Sequence, residues 1–292
     1  DHRYLVDGPI VVSSRKQTPS KNILVGSLGR GGKGLFSLNV TNPSGFVNSN
    51  VLWEADGTDT YMGHVISSPL IAKVNYNNEM AVLVSNGINS TSDAPALFVY
   101  GLETGTLLAK LVPADTDGAG PIDVVGNNGL SATIGIDDDI DGDVDYVYAG
   151  DLKGNVWKFD LSSALNTSWA VANSGKPIFS AKDAGGVAQS ITGGINIAFD
   201  DLNIPWLFFG TGRYLTAGDP ASTTVQTLYG IRDENAVISG RSVLKERKII
   251  AHGILNGKNV RAFEPKVYNS TTNDMAGKKG WYIDLVNDPQ SN

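Results

Sequence analysis

The chain has 292 residues, no cysteine, and a formal net charge of −7 from 23 basic and 30 acidic side chains. That rules out disulfides, thiolate metal sites and a cysteine nucleophile, and it argues against any general affinity for nucleic acid or for an anionic membrane. With 41% hydrophobic but only 18% charged residues, 34 glycines and 12 prolines, the composition suits an all-β protein of short strands and tight turns rather than long helices. The chain opens at Asp1 with neither a methionine nor a basic and apolar leader, so it reads as part of a longer exported protein. No apolar run approaches the roughly 20 residues a bilayer-spanning helix needs, and direct membrane insertion is not expected.

In chain order, the first clear element is the hairpin pattern NILVGSLGRGGKGLFSLNV over 22–40. Its GRGGKG (29–34) matches the G-x-G-x-x-G dinucleotide fingerprint, but the alternating strand LFSLNV follows where the phosphates would need a helix N-terminus. The glycines therefore predict a hairpin turn. DGTD (56–59) predicts a polar turn, and MAVLVSNGINSTSDAPALFVYGL (80–102) a second strand pair. The segments 86–95, 115–129 and 217–224 read as surface loops. DTDG (115–118) holds a fragment of a cation-binding pattern without the later ligands.

The most informative stretch is IGIDDDIDGDVDYVYAG (134–150), which carries six aspartates in nine positions and no basic residue. Calcium takes six to eight oxygen ligands from carboxylates and backbone carbonyls of a loop that curls around the ion. Asp137, Asp139, Asp141 and Asp145 fall at loop positions 1, 3, 5 and 9, and the carbonyl of Asp143 at position 7. Gly142 occupies position 6, where the chain turns sharply, and Val144 at position 8 can anchor the loop in the core. An EF-hand would close with glutamate at position 12, but that residue is Tyr148, inside an evident strand. A strand-loop-strand calcium site closed by Asp145 is the expectation. Asp138 lies off the alternation and should face solvent.

Beyond this loop, DYVYAGDLKGNVWKFDL (145–161) and WLFFGTGRYLTAG leading to TLYGIRD (206–233) repeat the hairpin pattern, and GWYIDL (280–285) predicts a closing strand. DLSSALNTSWAV (160–171) predicts a turn or two of helix, and GRSVLKERKIIAHG (240–253) a short helix or a charged strand. Gly26, Gly87, Gly150 and Gly210, read as turn glycines, are spaced by 61, 63 and 60 residues. Such a period predicts a β-propeller of four-stranded antiparallel blades, with residues 1–292 as a single domain and four or five blades visible. Trp157, Trp206 and Trp281 are expected in the blade core. His2, His64 and His252 have no partner at metal-ligand spacing, and no nucleophile elbow marks a catalytic serine.

Taken together, HRYLVDGPIVV, ILVGSLGRGGKGLFSLNVTNP, MGHVISSPLIAK, NGLSATIGIDDDIDGDVDYVYAGDLKGNVWKFDL, LFFGTGRYLTAGD and GWYIDL resemble, in order and over nearly the whole chain, the C-terminal domain of the PilY/PilC family of type IV pilus biogenesis proteins and tip-associated adhesins. The resemblance implies a modified propeller with one calcium loop, ligated by Asp137, Asp139, Asp141, the Asp143 carbonyl and Asp145, and no enzymatic activity. It also implies display at the cell surface, on the pilus tip or in the outer membrane. Calcium occupancy would control pilus extension against retraction, with pilus subunits (minor pilins) and host-surface receptors as partners. The adhesive N-terminal region of family members is not part of this sequence. One alternative is a quinoprotein dehydrogenase, whose strand motifs YAGDLKGNVWKFDL also resembles. Those enzymes hold calcium with a quinone at the propeller axis and often use adjacent cysteines, which this chain lacks. An integrin-like propeller would repeat the aspartate loop in several blades, whereas one full copy is present.

Overall fold

The computed structural model describes residues 5–113, 127–264 and 273–286. Four antiparallel sheets follow one another along the chain, each beginning with four strands in spatial order. The first holds β1 (Ile10–Val12), β2 (Ile23–Ser27), β3 (Gly34–Asn39) and β4 (Val51–Asp56). The second holds β5 (Leu70–Lys73), β6 (Met80–Ser85), β7 (Leu97–Gly101) and β8 (Leu107–Leu111). The third is β9 (Ile134–Ile136), β10 (Tyr146–Gly150), β11 (Asn155–Asp160) and β12 (Ala170–Val171), with β13 (Phe179–Ser180) also on β11. The fourth is β14 (Asn196–Phe199), β15 (Pro205–Gly210) and β16 (Gln226–Arg232), completed by β20 (Gly280–Leu285) and by β17 (Lys245–Glu246), parallel to β20. The long β16–β20 connection carries a separate hairpin, β18 (Ile249–Leu255) and β19 (Lys258–Phe263).

Alternating side chains explain why the sheets stack. In the second sheet Val82, Val84 and Phe98 share a core with Ile23, Val25 and Leu35 of the first, while Leu83, Leu97 and Val99 share one with Val147, Trp157 and Phe159 of the third. On the other face of the third sheet, Tyr148 and Val156 join Leu207, Phe209 and Tyr229 of the fourth. A sheet covered on both faces needs continuous apolar strands, and MAVLVS and LFVYG are such runs. Among the described residues the core clusters join consecutive sheets, and none joins the first to the fourth. The architecture is the expected all-β succession of propeller blades.

Several local expectations are corrected. Gly26, Gly150 and Gly210 lie inside strands rather than in turns. A Cβ on Gly26 would sit 2.4 Å from the Phe36 ring, and one on Gly150 would sit 2.3 Å from Ile191, so packing of the neighbouring chain requires them. Gly87 does stand in a connection, at φ +70°. The segment 86–95 is a surface loop only in part, with Asn89 and Thr91 exposed but its ends buried: Asn86, fully buried, donates to Tyr61 O and Ala94 O and accepts from the amides of Ala96 and Leu130. Of the two alternatives for residues 240–253 the strand is the one found, in Lys245–Glu246 and Ile249–Leu255 after a 3-10 turn, and the turn or two expected at 160–171 is a single 3-10 turn, Asn166–Ser168. Trp157 is fully buried, but Trp206 and Trp281 are half-buried and flank Phe208 on the far face of the fourth sheet. GRGGKG makes one 3-10 turn between paired β2 and β3, with no longer helix. DTDG (115–118), His2 and most of 115–129 lie outside the described residues.

Candidate metal centre

The acidic loop, residues 137–145, connects β9 to β10, the two strands nearest one end of the third sheet. Asp145 N–H donates to Ile136 O at 2.9 Å, closing the loop at its neck. Above that neck, backbone amides point inward at carboxylates. Asp141 N–H donates to Asp137 Oδ1 (3.1 Å) and to Asp139 Oδ1 (3.2 Å), and Gly142 N–H donates to Asp137 Oδ2 (2.8 Å). Asp138 N–H donates to Asp145 Oδ2 (2.7 Å), and Asp143 N–H to Asp141 Oδ1 (2.8 Å). Two residues take positive φ: Gly142 (+98°), as its position demands, and Ile140 (+65°), a β-branched residue in a region such side chains avoid. Ile140 is 83% exposed, so no packing compensates that strain.

Asp137, Asp139 and Asp145 each bring one carboxylate oxygen into a group whose members all lie within 4.8 Å of one another. The Asp141 carboxylate is outside that group, engaged with the Asp143 amide. The Asp143 side chain turns away to pair with Lys73 Nζ at 2.6 Å, leaving its backbone as the part of the residue available to the loop interior. Asp138 is exposed, as expected. Partial desolvation and the charges of Asp141, Asp145 and Asp137 push Asp139 above the usual carboxylate range, against the lowering effect of the Asp141 amide. The donors are all oxygens, a set matched to a hard cation rather than to zinc or copper. The carboxylates converge while mutual repulsion opposes it, which is the arrangement a cation relieves.

The family model for the PilY1 β-propeller domain matches residues 1–256. The chain belongs to this family. It is 38% identical over 99% of its length to a type IV pilus biogenesis factor PilY1 homolog of Xylella fastidiosa, and 32% identical over 98% of its length to PilY1 of Pseudomonas aeruginosa strain PAO1. It covers 20% and 26% of those proteins, so it spans about a fifth to a quarter of their length. The crystal structure of the P. aeruginosa PilY1 C-terminal domain superposes with a TM-score of 0.78 at 30% identity, covering 97% of this chain and 62% of that one. The PilY1 fold thus accounts for the sheet succession described above.

In this PilY1-type propeller the loop also rests on residues that the sequence did not single out. Val144 N–H donates to Lys73 O (2.9 Å), and Val144 forms a parallel bridge with Val74. Asn75 Nδ2 lies 3.0 Å from Asp145 Oδ1 and within 3.4 Å of the carbonyls of Val144 and Leu161. These contacts tie the loop to the β5–β6 turn of the second sheet. Lys73 and Asn75 precede the loop by some seventy positions, in KVNYNNE (73–79), which holds no alternating acidic pattern of its own. Only three-dimensional placement reveals them. A second missed group is Asp151, fully buried, whose carboxylate accepts from the amides of Lys153 and Asn155 and from Asn155 Nδ2, Asn128 Nδ2 and Trp157 Nε1. It shapes the β10–β11 hairpin and holds Trp157 in the core. His64 Nδ1 lies 2.9 Å from Gly29 O and joins the first two sheets.

Proposed function

We propose that residues 1–292 form one calcium-binding, non-catalytic propeller domain within a longer exported type IV pilus biogenesis factor. The observation that carries this reading is the convergence of Asp137, Asp139 and Asp145 on one point in a strand-loop-strand of a PilY1-family propeller. Calcium, when bound, supplies a divalent positive charge that neutralises the carboxylates and fixes the loop. Asp137, Asp139, Asp141 and Asp145 would hold it through carboxylate oxygens and Asp143 through its carbonyl. The inward amides of residues 138, 141, 142 and 143 hold the carboxylates of Asp137, Asp139, Asp141 and Asp145 close to their working positions before the ion arrives.

The domain acts through protein contacts. Calcium occupancy biases the loop toward its ordered form, which favours one set of contacts with pilus subunits, the minor pilins, and so pilus extension over retraction at the cell surface, on the pilus tip or in the outer membrane. Host-surface receptors form the second class of partner. The pilus biogenesis names of the relatives support a non-catalytic role over a quinoprotein dehydrogenase. Calorimetric titration tests the reading: one calcium per chain in the wild type, none in Asp141→Ala with the fold retained, and weaker magnesium binding. A wild-type chain that takes up no calcium would refute it, and quinone-dependent dye reduction would restore the enzyme alternative.

A further inference from the structure

The acidic loop is not confined to its own sheet. Its contacts run across the seam between the second and third sheets, through one short turn, Lys73–Val74–Asn75. The Asn75 amide reaches Asp145 Oδ1 and also faces the carbonyls of Val144 and Leu161, so it meets the last residues of the loop and the end of β11 together. Asp145 is held from the other side by the Asp138 amide on Oδ2, and its own carbonyl accepts from Leu161 N–H at 2.7 Å. Both oxygens of the last carboxylate in the loop therefore have orienting donors, one of them supplied by a neighbouring sheet. Beside it, Tyr76 packs edge-on against Trp169, which leads into β12, with ring centroids 6.3 Å apart, and Val74 on the other side of Asn75 is fully buried. Lys73 brings an ammonium group to Asp143 at 2.6 Å, the only ion pair made by a loop carboxylate among the described residues.

We propose that Asn75 and Lys73 are positioning residues that tune, in opposite directions, how tightly the loop holds its cation, and that they couple occupancy to the seam between the second and third sheets. The inference rests on the calcium reading above. Asn75 turns Asp145 so that its free lone pairs face the loop interior. Donors of this kind, which orient a metal ligand from outside, typically matter about 10–100-fold in affinity. Lys73 cancels one negative charge at the edge of the site, and so opposes an arriving cation by an amount that salt can screen.

The experiment is calorimetric calcium titration of the full chain and two variants, at low and at high ionic strength, with melting of each protein in chelator. Asn75→Ala is expected to weaken calcium binding about 10–100-fold. Lys73→Met is expected to tighten it several-fold at low salt, with the gain shrinking at high salt. Damage to the seam alone would weaken binding in both variants, so the opposite signs are the signature of positioning and charge tuning. Should Asn75→Ala fail to fold, Lys73→Met still decides the matter, because unchanged or weaker binding in that variant overturns the proposal. Wild-type affinity in Asn75→Ala overturns it as well. A wild-type protein that binds no calcium defeats instead the reading on which the proposal rests.

Discussion

Asp145→Asn removes one charge from the loop at nearly constant shape, and its effect can be worked out with and without metal. In the metal-free protein the carboxylate accepts from Asp138 N–H on one oxygen and from Asn75 Nδ2 on the other, at 2.7 and 3.0 Å. An asparagine can keep only one of those bonds and turns its NH2 toward the remaining donor. The orphaned donor costs about 1 kcal/mol, the low end of the usual range, because Asn75 retains the two nearby carbonyls. Relief of repulsion with Asp137 and Asp139 offsets part of that. With calcium at about 100 times its dissociation constant the wild type gains about 2.7 kcal/mol, and a variant that does not bind gains nothing. The gap in calcium is then at most about 3.7 kcal/mol, or about 10 °C in melting temperature at the 2–4 °C per kcal/mol expected for a large domain, against at most about 3 °C in chelator. Differential scanning calorimetry of both proteins, with calcium and with chelator, measures the four midpoints. An equal calcium-induced shift in wild type and variant would show that Asp145 is not part of the site.

Three further outcomes follow from the same geometry. Ile140→Asn should stabilise the protein by about 1 kcal/mol, since asparagine tolerates the left-handed conformation that costs a β-branched residue about 1–2 kcal/mol and Ile140 makes no core contacts to lose; an unchanged or lower melting point would contradict this. Asp151→Ala should cost about 3–5 kcal/mol in urea denaturation, because it strands five donors around a fully buried position, whereas Asp200→Ala, which frees a similar set of donors including Trp206 Nε1 near the surface, should cost clearly less; equal losses would refute burial as the cause. Asp139, held above the usual carboxylate range, binds its proton more tightly folded than unfolded, so its contribution to metal-free stability is lost as pH rises through that range. Asp139→Asn should therefore gain on the wild type in chelator as pH rises through the ordinary aspartate range and just above it, and a stability difference that stays flat there would refute the repulsion argument.

The acidic loop was legible in the sequence because its geometry is local. A calcium loop of the proposed kind would need oxygen on alternate residues and a turn at position 6, and the aspartates and Gly142 offer both within nine residues. The blade succession was legible because each hairpin repeats at a near-constant interval. What the sequence hid depends on chain brought in from elsewhere. Gly26 and Gly150 look like turn glycines until Phe36 and Ile191 are seen to occupy the space their side chains would fill. Asn86 looks like loop material, yet one buried amide satisfies four backbone groups from three segments. Trp206 and Trp281 share the strand context of Trp157, and only the stacking order of the sheets decides that Trp157 faces a neighbour and the other two do not.

The location of the loop matters for what an ion can do there. β9 is the outermost strand of the third sheet, and a site there that touched only its own blade would change only that edge when it emptied, because the buried β10–β11 pair would isolate it. Here the loop hangs from β9, a strand of three residues, and its neck is closed by Asp145 N–H on Ile136 O and Asp138 N–H on Asp145 Oδ2. On its other side it meets the second sheet through one bridge, one ion pair and one amide. Repulsion among unneutralised carboxylates therefore loads the short β9–β10 ladder and the polar end of the seam, while Trp157, Phe159 and Leu83 keep the apolar end closed. Local stability of this uneven kind would confine any metal-dependent motion to the loop, β9 and the turn that holds Asn75. A cation bound in this loop would thus act on a surface built from two blades, and a partner resting on that surface would sense occupancy without any change in the core.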